Sequence, residues 1–563
     1  MRREVSVVNK KVCSFPILFA LLALVVGTCA VVFPASAQAA PTSTGSITVS
    51  GTVASSYDAY QIFSANVVDG DSDAKIATDL TWASDAARDA VLPVLHSAGM
   101  PESQTTAQKA AEWLNDDSHL TSALSAQLAR SLQSSDAVSV ALNAGAAAEL
   151  PCGYWLIVAD DDAISQNEAG TAPIMALVGG SAVTVKPKAA TPKVSKHVLE
   201  DSTAAWQKAA DATVADDLYW RLSATVPAGL SAYDTYTVRF VDTMSAGLDP
   251  SKVAASMRVY VAAGADGSFD AVQTGKDGRV GTEPAKGWTD ITAQCATKVA
   301  VDGKTFTVRT GDLVAALGGA DAFTAGARVV AVYNAPLNSA CNHGIAKGNP
   351  NEVYLRYPRS PFADQSGDAG FTSTPSDDAC AYTWDLALTK RGSDGDKPLA
   401  GAVLSIADDR GRTLAADGTW DAEGKATVTT GEDGRVTVSG VDSGKLEVRE
   451  LKAPKGYTAF QGMRSVTVKA GGLDVDQVAA AKPKLTITAE SPLRADSANG
   501  STGSLEASLI NTPTGTPPSI TTGGFMPSTG DMAMYAAAAA AVAGAALIVV
   551  ALLVKRGGGS HKE

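Results

Sequence analysis

The sequence predicts a mainly β protein, tandem β-sandwich domains in an elongated rod, whose first domain is α+β with a helical insertion. Short Thr- and Val-rich segments with alternating apolar residues recur along the chain, separated by Gly-, Asp- and Pro-containing turns. Aromatic residues make up only 6%, against 51 Gly and 25 Pro, which suits several lean domains better than one large core. The 563 residues allow roughly three or four such domains.

Residues 1–40 read as a secretory signal: a basic start, an apolar stretch, then small residues in A-x-A spacing around Ala37 to Ala40. An uncleaved N-terminal anchor is the alternative. Residues 41–186 open with strand-like "GSITVSG" and "YDAYQIFSANV". They pass through helical "AARDAVLPVLHSAG" and "TAQKAAEWLNDDSHLTSALSAQLARSL", and close with strands "GYWLIVAD" and "SAVTV". The stretch "KPKAATPK" marks a boundary. Residues 187–362 alternate in "LYWRLSATV", "YDTYTVRFVDTM", "SMRVYVAA" and "NEVYLRY", the pattern of a sandwich of short strands. A linker is expected at 363–379. A second sandwich follows at 380–515, with "WDLALTK", "GAVLSIAD", "GRVTVSG", "KLEVREL" and "SLEASLINT". Residues 516–525 read as a flexible spacer, and 526–563 as a terminal signal. In that signal "MPSTG" precedes an apolar run from about Met532 to Val554, long enough to cross a bilayer, and then Lys555 and Arg556.

Charge and motifs exclude several functions. A net charge of -13 with no clustered Lys and Arg argues against nucleic acid as a partner. There is no CxxC pair, no G-x-S-x-G elbow and no metal-spaced His pair, so no enzyme acting on external substrates, no cofactor and no metal is expected. "DGDSDAK" fails as a calcium loop because Ala74 and Leu80 stand where Gly and Glu are needed. Cys13 and Cys29 fall in the signal; Cys152, Cys295, Cys341 and Cys380 remain. An even number in an exported chain makes one or two disulfides the expectation, with Cys295–Cys341 the pair named, although spacing leaves the pairing open.

Strand parity picks out polar residues on apolar faces. In the last domain Leu386, Leu388 and Lys390 share a face, as do Leu446, Val448 and Glu450, and Leu505, Ala507, Leu509 and Asn511. In the middle domain Val194, Lys196 and Val198 align, as do Tyr236, Val238, Phe240 and Asp242, and Asn351, Val353, Leu355 and Tyr357. Each domain thus turns a Lys, an acid and an Asn inward. A lone buried charge is costly, so the plain alternative is that these groups sit at strand ends and reach solvent. Desolvation offers another outcome: it lowers a lysine pKa and raises that of an acid, so the pair can sit neutral. A neutral amine is a nucleophile and a protonated acid can polarise the Asn carbonyl, giving an uncharged amide between the side chains.

These residues carry a resemblance. "LEVRELKAPKGY" resembles the E-box of Gram-positive pilins and of Cna-B-type domains, and "LINTP" their closing strand. "PKVSKHVLE", "FVDTMSAGL" and "GNPNEVYLRYP" resemble the middle domain of sortase-assembled major (shaft) pilins. The resemblance implies immunoglobulin-like, Cna-type sandwiches holding intramolecular isopeptide bonds. Lys390 would join Asn511 with Glu450 as catalytic acid, and Lys196 would join Asn351 with Asp242. Asn349 rivals Asn351, but Pro350 is expected to interrupt the strand between them. "MPSTG" resembles the LPxTG sorting signal, implying that a sortase cysteine attacks the carbonyl of Thr529 and releases Gly530. "VTVKPK" resembles the pilin motif ending in YPK, with Lys186 in place of Tyr, implying that Lys188 is the amine that accepts the next subunit; Lys186 and Lys193 are lesser candidates. The implied partners are identical subunits in a head-to-tail polymer, a class C-type pilus sortase and a housekeeping sortase, peptidoglycan, and tip or base pilins. The implied location is the cell surface, covalently attached to wall or pilus after a transient membrane anchor. A wall-anchored monomeric adhesin, or a tip or base pilin, is the alternative.

Overall fold

The computed structural model describes residues 43–515, apart from 71–73, 117, 166, 171, 188–190, 229, 231, 276–277, 301–302, 324 and 347. The signal segment, Lys188, Thr529 and Gly530 lie outside the described residues. Among the described residues strand accounts for 46% and helix for 12%, so they are mainly β. No helix among the described residues is long and apolar enough to cross a membrane.

The first unit is built on the long strand Ser56–Asp69. It pairs with Lys75–Trp82, Ser139–Asn143 and Gly153–Ala159. A second sheet sets Thr44–Val49 between Ala147–Pro151 and Val183–Val185. The helical insertion comprises Asp85–Ser97, Ala107–Leu114 and Ser122–Gln133, N-capped by the side chains of Ser84, Thr106 and Thr121. "NDDSHLT" breaks the second predicted helical stretch in two, because Asn115 ends one helix and Thr121 caps the next. Leu95, Leu128 and Leu132 pack on Ile62, Phe63 and Leu156 of the sheet.

The middle unit is two facing sheets. One orders Ala205–Gln207, Lys193–Glu200, Tyr219–Val226, Ala327–Asn334, Arg258–Ala263 and Thr289–Asp290. The other orders Ala209–Asp211, Asp377–Tyr382, Asn349–Pro358, Arg239–Met244, Thr305–Arg309 and Ala296–Val299. Leu222, Val329 and Ala331 meet Phe240, Phe306, Val353 and Leu355 between them. Two expectations change here. The stretch 363–379 is not a bare linker: Phe371–Ser373 and the start of Asp377–Tyr382 both pair with Asn349–Pro358. Pro350 does not interrupt that strand either. It pairs with Cys380 in unbroken register, its missing N–H being tolerated while Asn349 and Asn351 both point inward.

In the third unit Trp384–Gly392 runs parallel to Ser504–Pro513 and antiparallel to Arg435–Val441. The opposing sheet holds Val403–Ala407, Gly444–Lys452, Met463–Gly471 and Lys484–Ala489. Leu386, Leu388, Leu505 and Leu509 pack against Leu404, Ile406, Val448 and Val466.

The middle and third units share material. Along Asp377–Tyr382, Ala379 and Ala381 enter the middle core whereas Cys380 and Tyr382 enter the third. Ile345, from the loop after Asn334, packs against the third core. Asp211 of the middle unit accepts the Trp384 indole N–H at 2.6 Å and the Ser443 backbone N–H at 2.9 Å.

All four described cysteines are free thiols, so the expected Cys295–Cys341 disulfide is not formed. Cys295 follows the short helical turn Thr292–Gln294, and its thiol donates to the Ile291 carbonyl at 3.3 Å. Cys341 is tucked beneath Gly247, whose α-carbon leaves no room for a side chain there. Burial pushes both thiols up to about 11, suppressing the thiolate that disulfide exchange requires.

Gly344 crosses to the third unit with φ +77, and a Cβ there would lie 2.5 Å from the Gly503 nitrogen. Gly344→Ala should therefore strain the junction, lowering stability by about 1–3 kcal/mol, visible as a lower urea midpoint.

Candidate functional site

The middle unit's cluster spans its two sheets. Lys196 belongs to one; Asp242 and Asn351 lie on adjacent strands of the other, where Asn351 pairs with Met244. Alternation along each strand turns all three inward, and none is exposed (0% each). The Lys196 ammonium donates to Asp242 Oδ2 and to the Tyr333 hydroxyl, the latter at 2.9 Å. Tyr333 in turn donates to Asp242 Oδ2 at 3.1 Å and accepts from Asn351 Nδ2 at 2.8 Å. Asp242 Oδ1 and Asn351 Oδ1 are buried without partners. The rings of Trp220 and Tyr333 lie 5.5 and 5.4 Å from Lys196 Nζ. Burial lowers the Lys196 amine to about 8, against the opposing pull of Asp242. Burial likewise raises the Asp242 carboxyl, against Lys196 and Tyr333. Both shifts push the pair toward its neutral form.

The third unit's cluster is built differently. Lys390 and Asn511 lie on neighbouring parallel strands, with Lys390 opposite Leu509 and Asn511 opposite Gly392. Glu450 comes from the facing sheet. The Lys390 amine donates to the Leu509 carbonyl at 3.0 Å and lies 3.8 Å from Glu450 Oε1. Asn511 Nδ2 donates to both Glu450 oxygens, at 2.8 and 3.0 Å, and the Phe460 N–H reaches Oε2 at 3.0 Å. Asn511 Oδ1, like Asn351 Oδ1, has no partner. Burial lowers the Lys390 amine to about 8, opposed by Glu450.

The structure thus brings together Lys196, Asp242 and Asn351, and separately Lys390, Glu450 and Asn511. It separates Asn349 from the chemistry for a reason other than the expected one. Asn349 is as buried as Asn351, but its amide is committed to the loop, accepting from Asn342 N and donating to Asn342 O and Ala381 O. Lys186 and Lys193 are exposed. In the first unit, Lys75 is held by the carbonyls of Gly179 and Ser181 and by Asp69, with no asparagine among its hydrogen-bond partners. Tyr333 is the site residue that sequence reasoning missed. Its strand, "ARVVAVYN", is buried on both faces, so parity could not single out an inward hydroxyl.

The middle and third sandwiches each close a lysine, an acid and an asparagine into the core. Residues 385–482 match the family of the SpaA prealbumin-like fold domain. A 134-residue stretch is 31% identical to the trypsin-resistant surface T6 protein of Streptococcus pyogenes serotype M6. That stretch is 22% of this chain and spans only 23% of the relative's length. Among solved structures, the T6 backbone pilin of Streptococcus pyogenes is similar at 17% identity and a TM-score of 0.44, covering 84% of this chain and 98% of that one. The major pilin SpaD of Corynebacterium diphtheriae is similar at 15% identity and a TM-score of 0.40, covering 84% and 98%.

The lowered lysine pKa values fix the sign of a pH effect. In Asn511→Ala, where no side-chain amide faces the amine, Lys390 binds fewer protons folded than unfolded between about 8 and its ordinary 10.5. The unfolded state binds the excess, so the stability of this variant should rise with pH across that window. Urea titrations at pH 8 and pH 10 check it; equal midpoints would contradict the shift.

Proposed function

We propose that the chain is the shaft subunit of a covalent surface pilus whose two later domains cross-link themselves. The observation that carries this reading is the burial of two complete Lys–acid–Asn sets, each with the amide, the acid and the amine in one dry core. In each domain the neutral lysine attacks the asparagine side-chain carbon. A proton passes by way of the acid to the departing nitrogen, and one ammonia leaves. Protonation would turn Glu450 from an acceptor into a donor, and a half-turn of the Asn511 amide would bring its unpartnered oxygen to that proton. The product carries no charge, so the burial penalty of the ionised pair disappears.

Polymerisation is assigned to Lys188, at the boundary between the first and middle units, and to the MPSTG signal. A sortase would cleave between Thr529 and Gly530, and Lys188 would receive the acyl group. Lys188 follows the edge strand Val183–Val185 and the buried Pro187, while the adjacent Lys186 is exposed. A head-to-tail linkage of this kind makes an open filament. On this reading the subunit has no catalysis directed at external substrates, and it resides at the cell surface, attached to the wall through the pilus.

Intact mass of residues 41–515, produced without sortase, tests the self-directed chemistry. Two bonds should lower the mass by about 34 Da, and Glu450→Ala should halve the deficit. A loss of about 17 Da in the unaltered protein would discard one domain's assignment, and no loss would favour a wall-anchored adhesin. Separately, Lys188→Ala should abolish high-molecular-weight polymer in the presence of a pilus sortase, read on a denaturing gel; undiminished polymer would exclude Lys188 as the acceptor.

A further inference from the structure

The two clusters differ in how the acid reaches the amide. In the third unit Glu450 touches Asn511 Nδ2 directly with both oxygens. In the middle unit the acid is an aspartate, one methylene shorter, and no hydrogen bond joins it to Asn351. The Tyr333 hydroxyl fills the gap: it contacts Lys196 Nζ, Asp242 Oδ2 and Asn351 Nδ2, with both lone pairs and its proton engaged. It is wholly buried, held by an edge-on contact with Phe306 at 4.8 Å, and reaches the cluster from the strand Ala327–Asn334, which carries none of the other three residues.

We propose that Tyr333 is a catalytic residue of the middle domain, relaying a proton from Asp242 to the leaving nitrogen of Asn351. The inference rests on the Lys196–Asn351 assignment. The Lys196 amine bonds to Asn351 Cγ while Asp242, which holds the proton of the neutral pair, passes it to the tyrosine oxygen as the tyrosine gives its own to Nδ2. Asp242 then takes one proton from the Lys196 nitrogen. The Cγ–Nδ2 bond then breaks and ammonia departs, leaving Asp242 and Tyr333 as they began. No oxidant or cofactor is required. In the resting arrangement Nδ2 donates to the hydroxyl. Once Cγ becomes tetrahedral that nitrogen gains a basic lone pair, and the same short contact serves proton transfer in the other direction. Burial holds the Tyr333 hydroxyl well above its ordinary pKa, so it stays protonated and acts as a carrier rather than a charge.

The test uses the full chain made in a host without sortase. After digestion, the Lys196–Asn351 cross-linked peptide is measured by mass spectrometry against the Lys390–Asn511 peptide as an internal standard. Tyr333→Phe removes the oxygen and keeps the ring; it should slow formation of the first peptide roughly a hundredfold and leave the second unchanged. Incorporating 3-fluorotyrosine at position 333, which restores the hydroxyl, should restore the bond. Purified before its bond has formed, Tyr333→Phe should also unfold thermally like Asn351→Ala, which lacks the bond but keeps the tyrosine. Formation of the bond at the unaltered rate in Tyr333→Phe would overturn the proposal, as would a Phe variant markedly less stable than Asn351→Ala. Absence of the first peptide from the unaltered protein would overturn the Lys196–Asn351 assignment itself, and the relay with it.

Discussion

Placing a lysine amine and a carboxyl group together between two sheets, with no route to water, is the constraint around which both later sandwiches are arranged. Such an ion pair contributes little to stability, since desolvating two charges offsets their attraction. Breaking it by losing one partner is worse, because an uncompensated charge is left behind. The surroundings act on this problem from both sides: the Trp220 and Tyr333 rings keep water from Lys196, while Asp242 gives it a partner. The asparagine supplies a third group, the one that on the proposed reading lets the pair be consumed chemically. Two cores meet the same demand with different parts, an acid long enough to touch the amide in one and a shorter acid assisted by a phenol in the other.

How much of this was legible in the sequence follows from how far period-two alternation carries. Where a strand is apolar on one face only, as in Trp384–Gly392 or Gly444–Lys452, parity placed Lys390 and Glu450 inward, where the structure has them. Parity also aligned Tyr236 with Asp242, and Tyr236 is buried even though regular strand begins only at Arg239. It fell silent on Ala327–Asn334, buried on both sides, and so Tyr333 was invisible. The proline rule, not parity, misjudged Pro350, because proline's ban on ladder pairing concerns its own nitrogen and not the direction its neighbours face. The stretch 363–379 looked like a linker because its strand residues are few and polar. What recruits them is tertiary: Arg239 lies over the Phe371 ring at 4.0 Å, and both Arg239 and Arg356 pair with Asp368. No local pattern announces such contacts.

The shared strand bears on what the cross-links would do in a filament under tension. On the proposed reading, load entering near Lys188 reaches Lys196 and crosses directly to Asn351; it leaves the third unit by crossing from Lys390 to Asn511. The strands between each bonded pair are bypassed and cannot be drawn out. Between the two bonds the load must run along the backbone from 351 to 390. That stretch contains Asp377–Tyr382, pinned antiparallel to Asn349–Val353 and parallel to Ala209–Asp211, with its side chains divided between two cores. Detaching it would open both cores together. The joint is thus reinforced by burial where the covalent bonds do not reach. The less regular run from Arg359 to Gly370 is held instead by side-chain contacts, from Gln365 to Thr235 and Thr237, from Arg130 to Pro361 and from Arg239 and Arg356 to Asp368, and is the portion left to yield first. Extensibility in such a subunit would reside in that surface loop, while the sandwiches stay closed.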